Sequence, residues 1–324
     1  MITLLFPGQG SQHTGMGKFL YEQFAPARLA FEEASDCLQI NFKQLCFNGS
    51  DSDLALTENT QPCLVLVSTA TQRVLRGLVD FSISAVAGHS VDEYSALVAA
   101  DVLSFSSALK AVRTRGQAMQ SAVPVGKGAM AAVMGLGVQE VEDLCAFVTN
   151  KSGALPLSPA NFNSPGQIVI SGNAKAIEWL RTEFKAEDLW PGTGKKIRII
   201  PLNVSAPFHC ALMAPAEKKM REVLTATDFN TARFPVLQNY TAQFHTQASE
   251  IRENLIRQVS APVRWWQSIE ALKQRNYKVC IECGSGKVLQ GLVKKIDSEF
   301  FQVFNTSSLE DIKTIEEFCG RQHK

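Results

Sequence analysis

Ser90 has the sequence surroundings of a nucleophilic serine. It lies in the segment 88–92 (Gly-His-Ser-Val-Asp), after the apolar run 83–87 and before the helix-like segment 93–100. A strand that turns sharply into a helix presents a serine hydroxyl above the sheet, with helix amides nearby to stabilise negative charge. The usual motif is Gly-x-Ser-x-Gly, and here Asp92 stands at the position of the last glycine. The segment therefore predicts either a nucleophile elbow or an ordinary strand-to-helix turn.

A glycine-rich loop follows the first apolar run of the chain. Residues 2–6 have the pattern of a buried strand, and Pro-Gly-Gln-Gly-Ser-Gln follows at 7–12. Gly8 and Gly10 let the backbone approach a ligand closely, and the Gln9 amide can donate a hydrogen bond beside it. A phosphate-binding loop would need Lys and Ser or Thr after the second glycine, and these are missing. The alternative to a ligand site is a plain strand-to-helix turn.

The composition is that of an ordinary globular protein. Of the 324 residues, 45% are hydrophobic, and 32 basic against 31 acidic residues give a formal net charge of +1. This balance produces no global field that would favour nucleic acid or a membrane surface. No apolar run approaches the ~20 residues that a membrane-spanning helix needs. Met1 leads directly into a strand, without a signal peptide, so we expect a cytoplasmic protein.

The cysteine pattern indicates thiols rather than disulfides or a metal site. Eight cysteines are scattered along the chain, mostly in apolar surroundings, as is typical of a reducing compartment. Cys280 and Cys283 form a C-x-x-C pair, but no second pair of Cys or His follows at zinc spacing. We therefore expect no metal and no permanently bound cofactor.

Strand-like and helix-like segments alternate along most of the chain, which predicts an α/β protein with a mainly parallel sheet. The candidate strands of that sheet are 3–6, 82–87, 197–202, 234–237 and 278–282, and two clear helical patterns cover 105–122 and 211–226. The apolar residues of the two helical segments recur at the spacing of one helix face.

The interval 126–199 has a different pattern. It begins within a flexible-looking Pro-Val-Gly-Lys-Gly segment at 124–128. Strands at 129–135, 155–161 and 167–171, helices at 138–151 and 174–184, and a returning strand near 196–200 follow the ferredoxin-like order. We expect this interval to form an inserted subdomain. The large domain would then be discontinuous, comprising 1–125 and 200–324.

Taken together, these segments resemble the malonyl-CoA:acyl-carrier-protein transacylase family, including the free-standing acyltransferases that serve polyketide synthases. The resemblance runs from Ile2 to about Val293, and its motifs occur in the family's order. The family-like stretches are 6–12, 60–62, 88–90, 115–120, 161–172, 208–209, 262–265 and 284–289. The resemblance implies an α/β-hydrolase-like large domain, an inserted ferredoxin-like subdomain and an active site in the cleft between them.

The resemblance also implies a Ser-His dyad. Ser90 matches the nucleophile and His209 matches the base. The residue that matches the family's histidine-orienting carbonyl is Gln258, since no acidic residue obviously completes a triad. A backbone acceptor can fix the histidine tautomer as an aspartate would. His89 lies next to Ser90, so we expect it to support the elbow or to line the acyl pocket.

The remaining matched residues would recognise the substrate. The oxyanion site would comprise the backbone N–H of Val91 and a donor from Gln9. Arg115 matches an arginine that forms a forked pair with the free carboxylate of malonate, which suits guanidinium geometry. Phe208 is typical of malonyl-selective relatives, although a phenylalanine there could also be simple packing.

Asp92 departs from the family, whose members have glycine there. A carboxylate that faced the pocket would disfavour anionic substrates. The alternatives are an acid tolerated at a helix N-terminus, which the helix dipole favours, or an impaired enzyme.

The function that these residues predict is transfer of a malonyl group from malonyl-CoA through Ser90 to an acyl carrier protein. The CoA thioester would be a substrate, and the holo carrier protein would be the partner of a monomer that binds neither nucleic acid nor membranes. For docking of that acidic partner we expect Lys287, Lys294 and Lys295, on a helix predicted at 287–296. The alternatives are a hydrolase that edits acyl carriers and a noncatalytic module that binds carrier proteins.

Overall fold

The computed structural model describes residues 1–322. Its strands are β1 (Ile2–Phe6), β2 (Ile83–Gly88), β3 (Gly128–Met134), β4 (Leu157–Ser164), β5 (Gln167–Asn173), β6 (Arg198–Pro201), β7 (Val236–Gln238), β8 (Gln243–His245), β9 (Val279–Glu282) and β10 (Gln302–Asn305). Its helices are α1 (Lys18–Gln23), α2 (Ala25–Leu38), α3 (Phe42–Asn48), α4 (Asp51–Ala55), α5 (Thr57–Leu78), α6 (Glu93–Ala99), α7 (Phe105–Ser121), α8 (Val138–Ser152), α9 (Ala174–Thr182), α10 (Ala186–Leu189), α11 (Ala214–Thr225), α12 (Ala248–Arg257), α13 (Trp265–Gln274), α14 (Val288–Asp297) and α15 (Leu309–Gln322).

The larger sheet has six strands in the order β10-β9-β1-β2-β7-β8. All neighbouring strands run parallel except β7 and β8. All five residues of β1 are buried, as are five of the six in β2, which is typical of a parallel sheet covered on both faces. The prediction of an α/β fold with a mainly parallel sheet is confirmed.

The smaller sheet is antiparallel, with the strand order β4-β5-β3-β6. Helices α8 and α9 join its strands in the sequence β-α-β-β-α-β, which is the predicted ferredoxin-like arrangement. Assigning 197–202 to the larger sheet was wrong, because β6 pairs with β3 and returns the chain along the smaller sheet. The division of the chain at 126 and 199 stays a prediction, since β6 itself runs through residue 199.

Two edge strands have no clear sequence signal. Strand β8 is three residues long and none of them is buried, while β10 begins at the exposed Gln302. Short edge strands lack the apolar run that identifies a buried strand. Both are at the outer edges of the sheet, whereas β1 and β2 are at its centre. These two strands were not predicted from the sequence, but this does not change where the loops after β1 and β2 lie.

The fold brings the two predicted loops together. Strands β1 and β2 are parallel neighbours, and Phe6 at the end of β1 is paired with Gly88 at the end of β2. The Gln9 loop and the Ser90 turn therefore leave the same edge of the sheet side by side, where ligands bind in open parallel sheets. The smaller sheet reaches this region through β4, where the amide of Phe162 donates to the carbonyl of Val263 at 2.9 Å.

No helix within residues 1–322 combines the length and the apolarity that crossing a bilayer requires.

Candidate active site

The turn around Ser90 is a tight strand-to-helix turn that requires glycine at its start. Strand β2 ends at Gly88, a short 3-10 turn covers 90–92, and α6 begins at Glu93. A Cβ atom on Gly88 would lie 1.9 Å from the carbonyl oxygen of Asp92, so any other residue would force the turn open. Ser90 itself has φ of +53°, a left-handed conformation that is uncommon outside glycine and that concentrates at functional sites.

Ser90 and His209 form a hydrogen-bonded pair. Ser90 Oγ lies 2.7 Å from His209 Nε2, and His209 Nδ1 lies 2.9 Å from the carbonyl oxygen of Gln258. Because a carbonyl can only accept, Nδ1 carries the imidazole proton and Nε2 is left to accept the serine proton. His209 also has a left-handed backbone, with φ of +60°.

The electrostatic surroundings keep His209 in the neutral form that a base needs. Burial, and then the positive charge of Arg115, lower the pKa of His209 to about 3. At neutral pH the imidazole is therefore unprotonated. It becomes charged only when a reaction delivers a proton to it.

Arg115 is a buried cation beside the nucleophile. Its side chain in α7 is 1% exposed. One terminal nitrogen donates to Gln61 Oε1 at 2.9 Å. The other donates to Gln258 Oε1 at 3.0 Å and to Ser90 Oγ at 3.3 Å. An arginine that covers a solvated helix face would be exposed, so Arg115 is not such a surface residue, and its role in specificity stays a prediction.

A cavity of about 100 Å³ opens over Ser90 and His209. Its wall combines polar and apolar side chains. The lining residues are Gln9, Gln61, His89, Ser90, Arg115, Met119, Met130, Asn161, Leu202, Val204, Phe208 and His209. Its small volume suits a short acyl group, and the buried guanidinium supplies the charge that a carboxylate would need.

The Gln9 loop meets the cavity at one side chain. Gln9 Oε1 accepts a hydrogen bond from Thr57 Oγ1 at 3.1 Å, which orients the amide. Gly8 lies against the elbow, and the close approach of a ligand to this loop stays a prediction. A Cβ there would lie 2.4 Å from the carbonyl oxygen of His89, so the glycine permits contact between the loop and the elbow. Val91 is buried at the first position after the nucleophile, where its amide belongs to the turn.

His89 and Phe208 both line the cavity. His89 Nε2 lies 3.0 Å from Asn163 Oδ1, and its ring packs against Trp265 with centroids 5.5 Å apart. Burial lowers the pKa of His89, so it is held neutral as well. His89 thus lies on the cavity wall between the elbow and β4, and its role in supporting the turn stays a prediction.

The chain matches the acyl transferase domain family over residues 3–311. It is 45% identical to the malonyl CoA-acyl carrier protein transacylase of Bacillus subtilis (strain 168), covering 97% of this chain and 95% of that protein. Identity to the transacylase of the same name from Staphylococcus aureus (strain MRSA252) is 40%, over 96% of each.

Two solved structures have the same fold over nearly their whole length. The malonyl CoA-acyl carrier protein transacylase from Coxiella burnetii superimposes with a TM-score of 0.90 at 36% identity, covering 98% of this chain and 96% of that one. A malonyl-transacylase in complex with its type II polyketide synthase acyl-carrier protein gives 0.90 at 38% identity, covering 98% and 99%.

The chain belongs to the malonyl-CoA:acyl-carrier-protein transacylase family. The family resemblance predicted from its motifs is thereby confirmed.

In this transacylase family member, Asp92 does not face the cavity. Its carboxylate is 0% exposed and accepts hydrogen bonds from Ser68 Oγ at 2.8 Å and from Ser95 Oγ at 2.9 Å. The carboxylate therefore ties α5 to the start of α6 on the side of the turn away from substrate. Burial raises the pKa of Asp92 to about 7, so it resists ionisation.

We expect Asp92→Asn to make the protein more resistant to mildly alkaline unfolding. A folded-state pKa raised above the unfolded value contributes stability below about pH 4, and that stability is lost as pH rises through 7. Between pH 5 and pH 8 this loss amounts to ~3 kcal/mol, at 1.36 kcal/mol per pKa unit. Urea unfolding at these pH values should show the free energy of unfolding falling more steeply in the parent protein than in D92N. If the free energy of unfolding changed equally with pH in the two proteins, the prediction would be wrong.

The predicted docking lysines are exposed, but the helix reasoning needs correction. Helix α14 begins at Val288, and Lys287 precedes it with φ of −134°. The seven-residue spacing therefore does not put Lys287 on one helical face with Lys294, because Lys287 is not helical. Lys287 lies 3.5 Å from Asp311, and Lys295 donates to Gln167 Oε1 at 2.9 Å. Such exposed contacts are weak and leave the charges accessible.

Sequence reasoning missed the amides and the acid behind the dyad. Asn239 Oδ1 accepts from the Ser90 amide at 2.7 Å, and Asn239 Nδ2 donates to the Gly88 carbonyl at 2.7 Å. Gln61 orients Arg115, and Glu93 accepts from Gln258 Nε2 at 2.9 Å. Gln61 lies in a family-like stretch and Glu93 follows the elbow directly, which were the available signals; Asn239 had none.

Proposed function

We propose that this chain is an acyl-carrier-protein S-malonyltransferase, which carries malonyl from malonyl-CoA through Ser90 to the phosphopantetheine thiol of an acyl carrier protein. The observation that carries the proposal is the convergence of two groups on one oxygen. Ser90 Oγ lies 2.7 Å from the His209 base and 3.3 Å from the Arg115 guanidinium. A nucleophile, a neutral base and a cation for a substrate carboxylate therefore share one small cavity.

In the first half-reaction Ser90 Oγ attacks the thioester carbonyl carbon of malonyl-CoA. His209 Nε2 takes the hydroxyl proton as the O–C bond forms. The tetrahedral intermediate collapses with cleavage of the C–S bond, and the proton on Nε2 passes to the departing CoA sulfur. Malonyl-Ser90 and neutral His209 remain, so the enzyme is ready for a second thiol.

The second half-reaction runs the same steps in reverse with another thiol. The phosphopantetheine thiol of the carrier gives its proton to His209 Nε2 and attacks the ester carbonyl. The new S–C bond forms, the O–C bond to Ser90 breaks, and the proton returns to Ser90 Oγ. One dyad thus serves both thioesters, as ping-pong transfer requires.

Two donors would stabilise the oxyanion of each intermediate. The amide of Val91 lies at the start of the helical turn after Ser90, where amides point towards developing negative charge. Gln9 lines the cavity with its Oε1 occupied by Thr57, which leaves the amide nitrogen as its donor. We assign the oxyanion site to these two residues on this basis.

Arg115 would select the malonyl group by its free carboxylate. The contact from Arg115 to Ser90 Oγ is long, at 3.3 Å, so a carboxylate can replace it with a forked pair. Gln61 and Gln258 hold the guanidinium in place through one hydrogen bond from each terminal nitrogen. Phe208 on the cavity wall limits room beside the acyl chain, which favours an unbranched malonyl group.

We also propose that residues 126–199 act as a subdomain closing over the Ser90 turn, and that the protein is a cytoplasmic monomer without a permanently bound cofactor. Support for the subdomain comes from Met130 and Asn161, which reach the cavity wall from the smaller sheet. The near-neutral charge and the eight free cysteines are consistent with a reducing compartment.

A two-component transfer assay tests the function. The protein is incubated with malonyl-CoA and a holo acyl carrier protein, and both proteins are weighed by mass spectrometry, with the apo carrier as the control. We expect malonyl on the holo carrier and none on the apo carrier. Release of free malonate without a loaded carrier would establish a hydrolase instead, and no covalent change on either protein would establish a binding module.

Carrier docking should depend on the basic residues around α14. Acyl carrier proteins are generally acidic, and we propose that Lys287, Lys294 and Lys295 meet them. We expect Lys287→Glu with Lys294→Glu to slow transfer to the carrier about tenfold at low salt, because attraction between opposite charges becomes repulsion. Salt should then affect transfer less. Acylation of Ser90 by malonyl-CoA should be unchanged.

The charge-matched control is Lys43→Glu with Lys110→Glu, which changes two exposed lysines on α3 and α7. This control should leave transfer to the carrier unchanged. Equal slowing in both double variants, or loss of both half-reactions in the first, would place the docking surface elsewhere.

A further inference from the structure

A buried acid lies directly behind the dyad. Glu93, the first residue of α6, is 0% exposed. Its two carboxylate oxygens accept three hydrogen bonds, each 2.9 Å long, from Gln238 Nε2, from the amide of Asn239 and from Gln258 Nε2. All three partners are donors, which is the pattern of an ionised carboxylate rather than of a protonated acid. Burial raises the pKa of Glu93, and these three hydrogen bonds and the charge of Arg115 oppose that shift.

Glu93 and its three donors form a hydrogen-bonded cluster of Glu93, Gln238, Asn239 and Gln258. One arm of this cluster reaches His209 and Arg115 through Gln258. With its Nε2 held by Glu93, Gln258 presents Oε1 to Arg115 at 3.0 Å. The backbone carbonyl of the same residue accepts from His209 Nδ1 at 2.9 Å. A single residue therefore orients both groups, and the carboxylate of Glu93 fixes which way its amide points.

The other arm reaches the nucleophile through Asn239. The Asn239 amide donates to Glu93 Oε2 at 2.9 Å, and its side chain bridges the elbow. Asn239 Oδ1 accepts from the Ser90 amide, and Nδ2 donates to the Gly88 carbonyl, both at 2.7 Å. These bonds hold Ser90 in its left-handed conformation.

The cluster also places a negative charge near the buried Arg115. Arg115 is almost fully buried, and a buried cation is costly unless an opposite charge compensates it. Burial lowers the pKa of Arg115, and the charges of Tyr94 and Glu93 oppose that shift. The neighbouring His89 and His209 are neutral, since burial lowers the pKa of each. When His209 takes the serine proton, a second cation appears in the same place.

We propose that Glu93 is the positioning residue of this site, holding Ser90, His209 and Arg115 through Asn239 and Gln258 and balancing the positive charge that develops during acyl transfer. The inference rests on the malonyl transfer proposed above. In this dyad no aspartate within residues 1–322 contacts His209. Instead, Glu93 is connected to His209 through Gln258.

The charge role makes a kinetic prediction that a purely structural role does not. Glu93→Gln keeps the shape of the side chain and removes its charge. Protonation of His209 then costs more, so kcat should fall with both malonyl-CoA and acetyl-CoA. Binding of the malonyl carboxylate to Arg115 should not weaken, because that cation has lost its internal counter-charge.

The test measures kcat and KM of purified Glu93→Gln with both thioesters, after thermal unfolding has shown that the variant is folded. We expect kcat to fall about 10–100-fold, as when the hydrogen-bond partner behind a metal-binding side chain is removed, with KM for malonyl-CoA unchanged or lower. The control is Glu282→Gln, the same substitution at a buried acid that accepts from the amides of Leu289 and Gln290 outside the cavity, and its kcat should match the parent protein.

Either an unchanged kcat or a KM for malonyl-CoA that rises at constant kcat would overturn the proposal. Should Glu93→Gln fail to fold, Gln258→Leu tests the same connection, since it cuts the side-chain link and keeps the backbone carbonyl that holds His209. It should lower kcat with both thioesters, and an unchanged kcat would also overturn the proposal. Absence of malonyl transfer by the parent protein would instead contradict the proposed function.

Discussion

Replacing Ser90 with alanine should abolish covalent labelling by malonyl-CoA. Ser90 Oγ lies 2.7 Å from His209 Nε2, and among the residues that the structure describes no other serine lines the cavity. Loss of a serine nucleophile lowers kcat on the order of 10⁶-fold in enzymes of this type. Intact-protein mass spectrometry after brief exposure to malonyl-CoA should show one malonyl adduct on the parent protein and none on S90A.

The matched control is Ser95→Ala, which removes a hydroxyl one helical turn away. Ser95 donates to Asp92 and does not reach the cavity, so its variant should label as the parent protein does. Both variants should show the parent's circular dichroism spectrum. An adduct that persists on S90A would mean that another residue is the nucleophile.

The second large effect is expected at Arg115. Arg115→Ala should lower kcat/KM for malonyl-CoA by at least ~100-fold, because two charge-assisted hydrogen bonds to the carboxylate are lost at about 1.5–3 kcal/mol each. Acetyl-CoA has no carboxylate to leave unpaired, so its kcat/KM should fall much less. The ratio of the two values of kcat/KM is therefore the measurement.

Arg113→Ala controls for the loss of a helical arginine, since Arg113 donates to the carbonyl of Glu58 and to Asn59 Oδ1, outside the cavity. It should leave the malonyl-to-acetyl ratio unchanged. Arg115→Lys should recover only part of the malonyl activity, because an ammonium lacks the planar fork. Equal losses with both thioesters in R115A would make the residue structural.

Chemistry-bearing residues were predictable where local sequence constrains the backbone. Gly88 and Ser90 are such a case. Only glycine fits at position 88, because a Cβ there would lie 1.9 Å from the carbonyl oxygen of Asp92, so the elbow can be recognised from neighbouring residues of the chain. The family resemblance added His209, Arg115 and Gln258, whose partners lie far away in the chain. The structure brings all of these residues into hydrogen-bonded contact.

Other features depended on contacts that no local pattern encodes. Segment 197–202 has an apolar strand pattern that fits either sheet, and only its pairing with β3 decides between them. Asp92 could have faced the substrate or the interior, and the hydroxyls of Ser68 and Ser95 determine that it faces inward. Lys287 looked helical by spacing, yet the backbone turns just before α14.

By itself, the sequence determined the alternation of strands and helices, the glycine at the elbow and the kinds of side chain available for acyl transfer, because these depend on neighbours in the chain and on residue chemistry. The tertiary structure decided how those side chains are held. Glu93, Asn239 and Gln258 are separated by up to 165 residues and meet only because β2, β7 and the end of α12 lie side by side. Hydrogen bonds act over about 3 Å, so the support of a catalytic group depends on which distant segments pack against it.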